Sequence, residues 1–164
     1  MKGRTPLAML TLPRLPIAPG QARRYLGPRL HDLGFSDDKR LEILVAVGEA
    51  VTNAVVHGGP DMPTRNADEL RVTLEVRGSD LVIAVTSPRT GWRALPPARS
   101  DPLARGGRGL LMIQNLTDAW RVEQRGGGTT VYLTWHLPRQ RTRSGKTGTG
   151  RSHARARRPG RRAF

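Results

Sequence analysis

The sequence has no cysteine, few aromatic residues and no long hydrophobic run. The absence of cysteine excludes a disulfide scaffold, a thiolate metal site and a thiol nucleophile. No stretch approaches about 18 consecutive apolar residues, so we expect no membrane-spanning helix. The N-terminal apolar patch is interrupted by prolines and precedes no clear cleavage site, which favours a cytoplasmic chain over an exported one.

Lysine is also scarce, and the positive charge is unevenly distributed along the 164 residues. Only three of the 28 basic residues are Lys, so arginine supplies most of the net charge of +15. Residues 138–164 carry ten basic residues and no acidic one, which leaves 18 basic and 13 acidic residues in the first 137. Such a segment cannot bury enough apolar area to offset the entropy of ordering it. We therefore expect a flexible N-terminus over 1–10, a folded domain over 11–137 and a disordered tail over 138–164.

Hydrophobic periodicity predicts two helices in the first half of the domain. After an extended segment over 11–17, apolar residues recur every three or four positions over 20–33, which indicates one helix face. A longer helix is expected to begin after the N-cap Ser36 and to end at Gly58. Its expected buried stripe is formed by Leu41, Leu44, Val45, Gly48, Val51 and Val55.

The second half of the domain is predicted to form two hairpins around a short helix. In chain order, the expected elements are strands over 69–77 and 81–86, a helix over 107–118, and strands over 120–124 and 129–137. Residues 88–106 are predicted to form a long loop, and long loops inside compact domains are usually functional or mobile. This order favours an α+β fold, a two-layer sandwich in which helices cover one face of a mixed, mostly antiparallel sheet.

Three polar residues of the long helix, Glu49, Asn53 and His57, are spaced four residues apart and therefore share one helix face. The amide oxygen of Asn53 is a suitable ligand for a hard cation, and the Glu49 carboxylate can accept a proton or orient a nucleophile. Polar pairs at this spacing also occur on nearly every amphipathic helix. The spacing alone therefore favours a solvated helix face that has no function.

A glycine-rich segment precedes the short third helix. Gly106, Gly107 and Gly109 allow the backbone to approach a phosphate closely, and free N–H groups at a helix N-terminus point at an anion. Arg108 adds a cation at the same place. Taken alone, the segment is also compatible with a flexible loop that ends at a helix.

Together these segments carry a family resemblance. The stretches ARRYLGPRLHDLGFSDDKRLEILVAVGEAVTNAVVHGG, GGRGLLMIQNLTDAWRV and GGGTTVYLTW resemble the histidine-kinase-like (GHKL, Bergerat-fold) ATPases. Within that group they look most like the anti-sigma-factor serine/threonine kinases of bacterial partner-switching systems. The resemblance covers roughly residues 10–137. It implies the Bergerat type of sandwich, Mg²⁺ and ATP as cofactors, a sigma factor and an anti-sigma-factor antagonist as partners, and a homodimer.

The resemblance also implies roles for individual residues. EAVTN looks like the family's N-box, so Asn53 would coordinate magnesium and Glu49 would act as the base. GGRGL looks like the G-box, so Gly107 and Gly109 would line the triphosphate. Residues 88–106 would form the ATP lid. Arg108 and Leu110 of the G-box are also implied in nucleotide binding. The Thr129-Thr130 pair looks like the family's threonine near the adenine, with Thr130 as the expected binding residue.

The chain departs from the family pattern after the strand LVIAVTS. The family carries an Asp there that accepts a hydrogen bond from the adenine amino group, whereas this chain has Ser87. Gly91 stands where the same motif has its glycine. A serine hydroxyl is shorter and uncharged, and the difference predicts roughly tenfold weaker adenine selection.

Three functions therefore remain open from the sequence. The chain can be an ATP-dependent kinase that transfers the γ-phosphate to a Ser or Thr of a protein antagonist. It can be a catalytically weak or silent binding module of the same fold that sequesters a sigma factor or antagonist. It can also bind nucleic acid or another polyanion, without sequence preference, through the arginine-rich tail.

Overall fold

The structure is a computed structural model, and it describes residues 6–57, 69–88 and 108–138. The helices and strands follow one another along the described chain in the predicted order. Their bounds are β1 (Ala8–Pro13), α1 (Ala18–Asp32), α2 (Asp37–His57), β2 (Glu69–Arg77), β3 (Asp80–Ser87), α3 (Arg108–Leu116), β4 (Ala119–Arg125) and β5 (Gly128–His136). None of the helices in these ranges is both long and apolar enough to cross a membrane.

The described strands form one five-stranded sheet with the order β1-β2-β3-β5-β4. Every neighbouring pair in this sheet is antiparallel. β3 lies at the centre, and its last residue, Ser87, is opposite Thr129 of β5. Gly126 and Gly127 form the turn between β4 and β5 with positive φ angles of 58° and 83°, a conformation that glycine adopts without strain. The predicted α+β sandwich is confirmed, with a sheet that is wholly antiparallel within the described strands.

The core lies between the three helices and one face of the sheet. Alternation along each strand directs one set of side chains towards the helices. On β3 and β5 the fully or nearly fully buried members of this set are Leu81, Ile83, Val85, Val131, Leu133 and Trp135. The indole N–H of Trp135 donates a 2.6 Å hydrogen bond to the carbonyl oxygen of Leu116, the last residue of α3. This bond ties the C-terminus of α3 to the sheet.

The predicted buried stripe of α2 is partly wrong. Leu41 is 65% exposed, whereas the residues of α2 that are buried in the core are Ile43, Ala46, Val47, Ala50, Val51 and Ala54. The reason is that α2 packs against α1, α3 and β3 at once, so its buried surface is wider than one stripe. Periodicity indicates a single apolar face and cannot indicate that three elements surround the helix.

The first strand also differs from its prediction. β1 runs from Ala8 to Pro13, so it begins three residues before the predicted extended segment and ends four residues before that segment's end. Its bounds follow from its antiparallel pairing with β2, from Ala8 opposite Leu74 to Pro13 opposite Glu69. Because β1 is an edge strand, the missing N–H of Pro13 is tolerated. The predicted tail, apart from Pro138, lies outside the described residues.

Candidate functional site

The structure brings Glu49, Asn53 and Gly109 together from two different helices. A Cβ atom built on Gly109 of α3 would lie 2.8 Å from Oε2 of Glu49. The same Cβ would lie 3.5 Å from Oδ1 and 3.6 Å from Nδ2 of Asn53. The two patterns that the sequence offered separately, the polar row and the glycine-rich segment, therefore meet at one place.

Glycine at position 109 permits this close approach. A separation of 2.8 Å between a carbon and a carboxylate oxygen is shorter than van der Waals contact, so a side chain at position 109 would displace the carboxylate of Glu49 or the first turn of α3. Glu49 and Asn53 are half-buried on α2. Within the described ranges, no hydrogen bond or ion pair joins the Glu49 carboxylate or the Asn53 amide to another side chain. Both groups are therefore available to a ligand.

The N-terminus of α3 gives the site a positive side. Arg108, the first residue of α3, is exposed, and the first turn of α3 contains no acidic residue. The free N–H groups of a helix N-terminus favour anions, and an arginine there strengthens the effect. Leu110 packs against the hydrophobic core and anchors this turn. The arrangement suits a phosphate group held beside Glu49 and Asn53.

Ser87 lies at the C-terminal end of β3, on the face of the sheet that points to the helices. Its side chain is 4% exposed, and its Oγ has no hydrogen-bond partner within the described residues. Thr129, directly opposite on β5, shares that face and is 2% exposed. Ser87 and Thr129 thus place two hydroxyl groups on the face of β3 and β5 that packs against the helices and is otherwise apolar.

Thr130 is not brought together with Ser87. Its Oγ1 lies 3.0 Å from Oγ1 of Thr86, and both hydroxyls are on the opposite face of the sheet. Of the Thr129-Thr130 pair, Thr129 faces the helices, whereas Thr130 was predicted as the nucleotide-binding residue. Alternation could have identified it, because Thr129 has the same parity as Val131 and Leu133, which are buried in the core.

Gly128 is a second residue near Ser87 that sequence reasoning treated only as part of a turn. A Cβ atom on Gly128 would lie 2.9 Å from the backbone oxygen of Ser87. Glycine therefore lets the start of β5 approach the end of β3 closely. No local signal distinguishes Gly128 from its neighbours Gly126 and Gly127, since all three stand in one glycine run.

Two predicted site residues fall outside the described part of the chain. Gly91 and Gly107 lie in the gap between residues 88 and 108, as does most of the predicted lid. The backbone of His57 ends α2, but its side chain is not described. Among the described residues, no group of three or more His, Cys, Asp or Glu side chains is placed to hold a metal ion.

Residues 12–135, most of the chain, match the family model described as the histidine kinase-like ATPase domain. The chain belongs to this family. Membership confirms the family resemblance that the EAVTN and GGRGL segments indicated.

Two curated relatives of this histidine kinase-like ATPase carry informative names. The chain is 31% identical over 143 residues to a serine-protein kinase RsbW of Bacillus licheniformis, covering 82% of this chain and 88% of the relative. It is 30% identical over 112 residues to an anti-sigma F factor of Oceanobacillus iheyensis, covering 64% of this chain and 75% of the relative. The relatives of this ATPase domain are thus named as kinases and as anti-sigma factors.

A solved structure shares the fold of this histidine kinase-like ATPase. It contains the RsbU and RsbW domains of the protein Rv1364c from Mycobacterium tuberculosis, and the TM-score is 0.60 at 25% sequence identity. The match covers 81% of this chain but spans about a third (32%) of the length of that chain. The likeness therefore concerns one part of a longer protein.

Proposed function

We propose that this histidine kinase-like ATPase is a protein serine/threonine kinase that uses ATP and acts on an anti-sigma-factor antagonist. The observation that carries the proposal is the contact of Gly109 with Glu49 and Asn53, because it joins an anion-binding helix end to a carboxylate and an amide. Names of the relatives, serine-protein kinase and anti-sigma F factor, support the same activity and the same partners.

The proposed step is a direct phosphoryl transfer. The acceptor hydroxyl oxygen forms a bond to the γ-phosphorus of ATP, the bond from that phosphorus to the β,γ-bridging oxygen breaks, and ADP leaves. The proton of the hydroxyl passes to the Glu49 carboxylate. Catalysis of such transfers depends mainly on positioning and on electrostatic stabilisation. The N-terminus of α3 and Arg108 supply positive potential for the phosphates.

The donor set at Asn53 fits Mg²⁺ held jointly with phosphate. Mg²⁺ prefers oxygen ligands, and in nucleotide sites the protein supplies only one or two of them while phosphates and water supply the rest. The Asn53 amide oxygen is one such ligand beside Glu49. When bound, the ion would neutralise charge on the phosphate oxygens.

The test separates nucleotide binding from transfer. ATP is titrated calorimetrically into the wild type and Asn53→Ala, with and without Mg²⁺, and we expect magnesium-dependent binding that Asn53→Ala abolishes. Glu49→Gln keeps the size of the side chain and removes its basicity, so we expect it to bind ATP and to lose transfer by about 100-fold or more. Transfer is measured with γ-labelled ATP and the antagonist proteins encoded in the same genome.

Glu42→Gln is the matched control for Glu49→Gln. Glu42 is a carboxylate of the same helix, and it pairs with Lys39 at 2.8 Å instead of contacting Gly109. Its substitution should leave binding and transfer unchanged. Magnesium-dependent binding that is equal in wild type and Asn53→Ala would refute the role of Asn53, and full transfer by Glu49→Gln would refute the role of Glu49 as base.

Ser87 supports a second candidate function, a binding module without kinase activity. A serine stands at the end of β3 where the resemblance implies a carboxylate for the adenine. This candidate predicts stable binding of a sigma factor or antagonist and no phosphorylated product even at high ATP concentration. A labelled product in the wild-type reaction would eliminate it.

A further inference from the structure

Exposed apolar side chains border the candidate site on both of its helices. On α2, Val56 lies three residues after Asn53 and is 61% exposed. On α3, Met112 lies three residues after Gly109 and is 44% exposed, and its neighbour Leu111 is 54% exposed. Residues three apart on a helix are surface neighbours, with about 5–6 Å between their Cβ atoms. We call Val56, Leu111 and Met112 the apolar rim.

The two rim residues of α3 lie on the side of that helix that faces away from the core. Ile113 is fully buried and Leu110 packs against the core, so the two residues between them in sequence are turned towards solvent. Single apolar side chains are common on protein surfaces, whereas a group of them beside one site indicates a surface that another molecule covers. Methionine suits such a surface, because its unbranched side chain adapts to different partners.

We propose that the apolar rim is the docking surface for the protein that carries the acceptor Ser or Thr. The inference rests on the proposed kinase function and adds the surface that recognises the substrate. For transfer, the acceptor oxygen must come within about 3 Å of the Glu49 carboxylate. The rim lies about one helical turn, roughly 5.4 Å, from the residues that contact or accompany this carboxylate. Since a stable interface buries about 800 Å² of each partner, an acceptor protein that reaches Glu49 covers the rim.

Charge favours an acidic acceptor protein over a second copy of this chain. α3 begins with Arg108 and contains no acidic residue, and the whole chain has a net charge of +15. A second copy would bring the same positive charge to the interface, where like charges repel. An acidic protein is instead attracted, and its association is accelerated. The expected partner surface therefore combines apolar side chains with carboxylates around the acceptor hydroxyl.

The experiment measures transfer from γ-labelled ATP to the antagonist proteins encoded in the same genome, at varied antagonist concentration and with the full-length chain. Leu111→Lys and Met112→Lys retain a good helix former and place a charge in the apolar contact. We expect each to raise the KM for the antagonist by about tenfold, because apolar area is no longer buried on docking. The kcat at saturating antagonist and the Kd of ATP should stay within about twofold of the wild type, as expected for a docking contact.

Two further variants separate docking from general effects of the substitutions. Met112→Leu conserves the apolar volume and should keep the KM of the wild type. Met9→Lys is the matched control, because Met9 is 56% exposed on the edge strand β1, and its neighbour Ala8, not Met9, is buried towards the helices. Lysine is well tolerated on edge strands, and this variant should leave both KM and kcat unchanged. If a lysine variant does not fold, Met112→Gln replaces it and should raise the KM in the same direction.

The outcomes distinguish this inference from the proposed function. An unchanged KM in the variants of both Leu111 and Met112 would overturn the inference and leave the kinase proposal intact. ATP affinity that falls as much as the KM rises would also overturn it, because the rim would then belong to the nucleotide site. A dimer of the wild type that Met112→Lys dissociates at unchanged KM would assign the rim to a second copy instead.

Calorimetric titration of the antagonist covers the case in which the wild type transfers no phosphate. Absence of transfer refutes the kinase proposal. Antagonist binding that Met112→Lys weakens by about tenfold would still support the docking surface, whereas binding that is equal in both proteins, or absent from the wild type, would refute it.

Discussion

Two carboxylates at one end of the sheet favour the protonated, positively charged form of His136. Nδ1 of His136 lies 2.8 Å from Oδ1 of Asp80, and its backbone N–H donates to Oδ2 of Asp118 at 2.7 Å. The hydrogen bond to Asp80, followed by the negative charges of Asp118 and Asp80, raises the pKa of His136 above its usual value of about 6.5. The protonated imidazole is therefore favoured in the folded protein at this exposed corner.

The raised pKa of His136 makes the contribution of this residue to the free energy of unfolding depend on pH. A group whose pKa is higher in the folded than in the unfolded chain stabilises the fold fully below its unfolded pKa. This contribution is lost as the pH rises from about 6.5 through the folded pKa of His136. We expect Asp80→Asn to lower the melting temperature relative to the wild type most at pH 5.5 and least at pH 8.5. A difference that stays constant over this range would contradict the pairing, and an NMR titration should show a lower pKa of His136 in the variant.

At the scale of the helices, the packing of α2 against α3 determines whether the site exists. Gly109→Ala places a methyl group 2.8 Å from Oε2 of Glu49, so the carboxylate or the first turn of α3 must move. We expect ATP affinity to fall by about tenfold or more, and phosphoryl transfer to fall further because it depends on the position of Glu49. Calorimetric titration and the transfer assay measure the two effects.

Gly20→Ala is the matched control for Gly109→Ala. Gly20 lies in α1, and nothing lies within 4 Å of a Cβ atom placed there. Alanine should raise the free energy of unfolding by roughly 0.5–1 kcal/mol, because glycine loses more backbone entropy on folding, and nucleotide binding should not change. If Gly109→Ala behaves like Gly20→Ala in both urea unfolding and ATP titration, the close contact at the site is not functionally important.

At the scale of the whole molecule, the net positive charge is concentrated in the last 27 residues of the sequence. The residues after position 137 carry ten of the 28 basic residues, while all described helices and strands end at or before His136. Deletion of residues 138–164 should leave the melting temperature nearly unchanged and reduce the net charge from +15 to +5. We expect the deletion to abolish the binding of duplex DNA at 50 mM salt, because polyanion binding depends on the number of cations that contact phosphates. Fluorescence anisotropy at several salt concentrations measures this, and equal DNA binding by the truncated chain would refute the role of the tail.

Much of the fold could be predicted because its signals are local. The period of 3.6 residues in α2 and the strict alternation in β2 are set by neighbours along the chain, and β2 was predicted with its observed bounds of Glu69–Arg77. Glu49 and Asn53 share a helix face for the same reason. Family membership could likewise be predicted, since the EAVTN and GGRGL segments are contiguous. The predicted roles of the site residues, the cytoplasmic location and the disordered tail stay predictions.

Contacts between distant segments came only with the tertiary structure. The approach of α3 to α2, so close that a Cβ atom on Gly109 would lie 2.8 Å from Oε2 of Glu49, joins residues that are 60 positions apart, and no periodicity predicts such a distance. The burial of the Ser87 hydroxyl and the orientation of Thr129 towards the helices depend on the pairing of β3 with β5, which are separated by α3 and β4. Residue patterns determine which face of an element is apolar, but the packing of several elements around that face determines what it touches. For this chain, the helices and strands could therefore be predicted from the local sequence. The site could not, because tertiary packing brings its residues together.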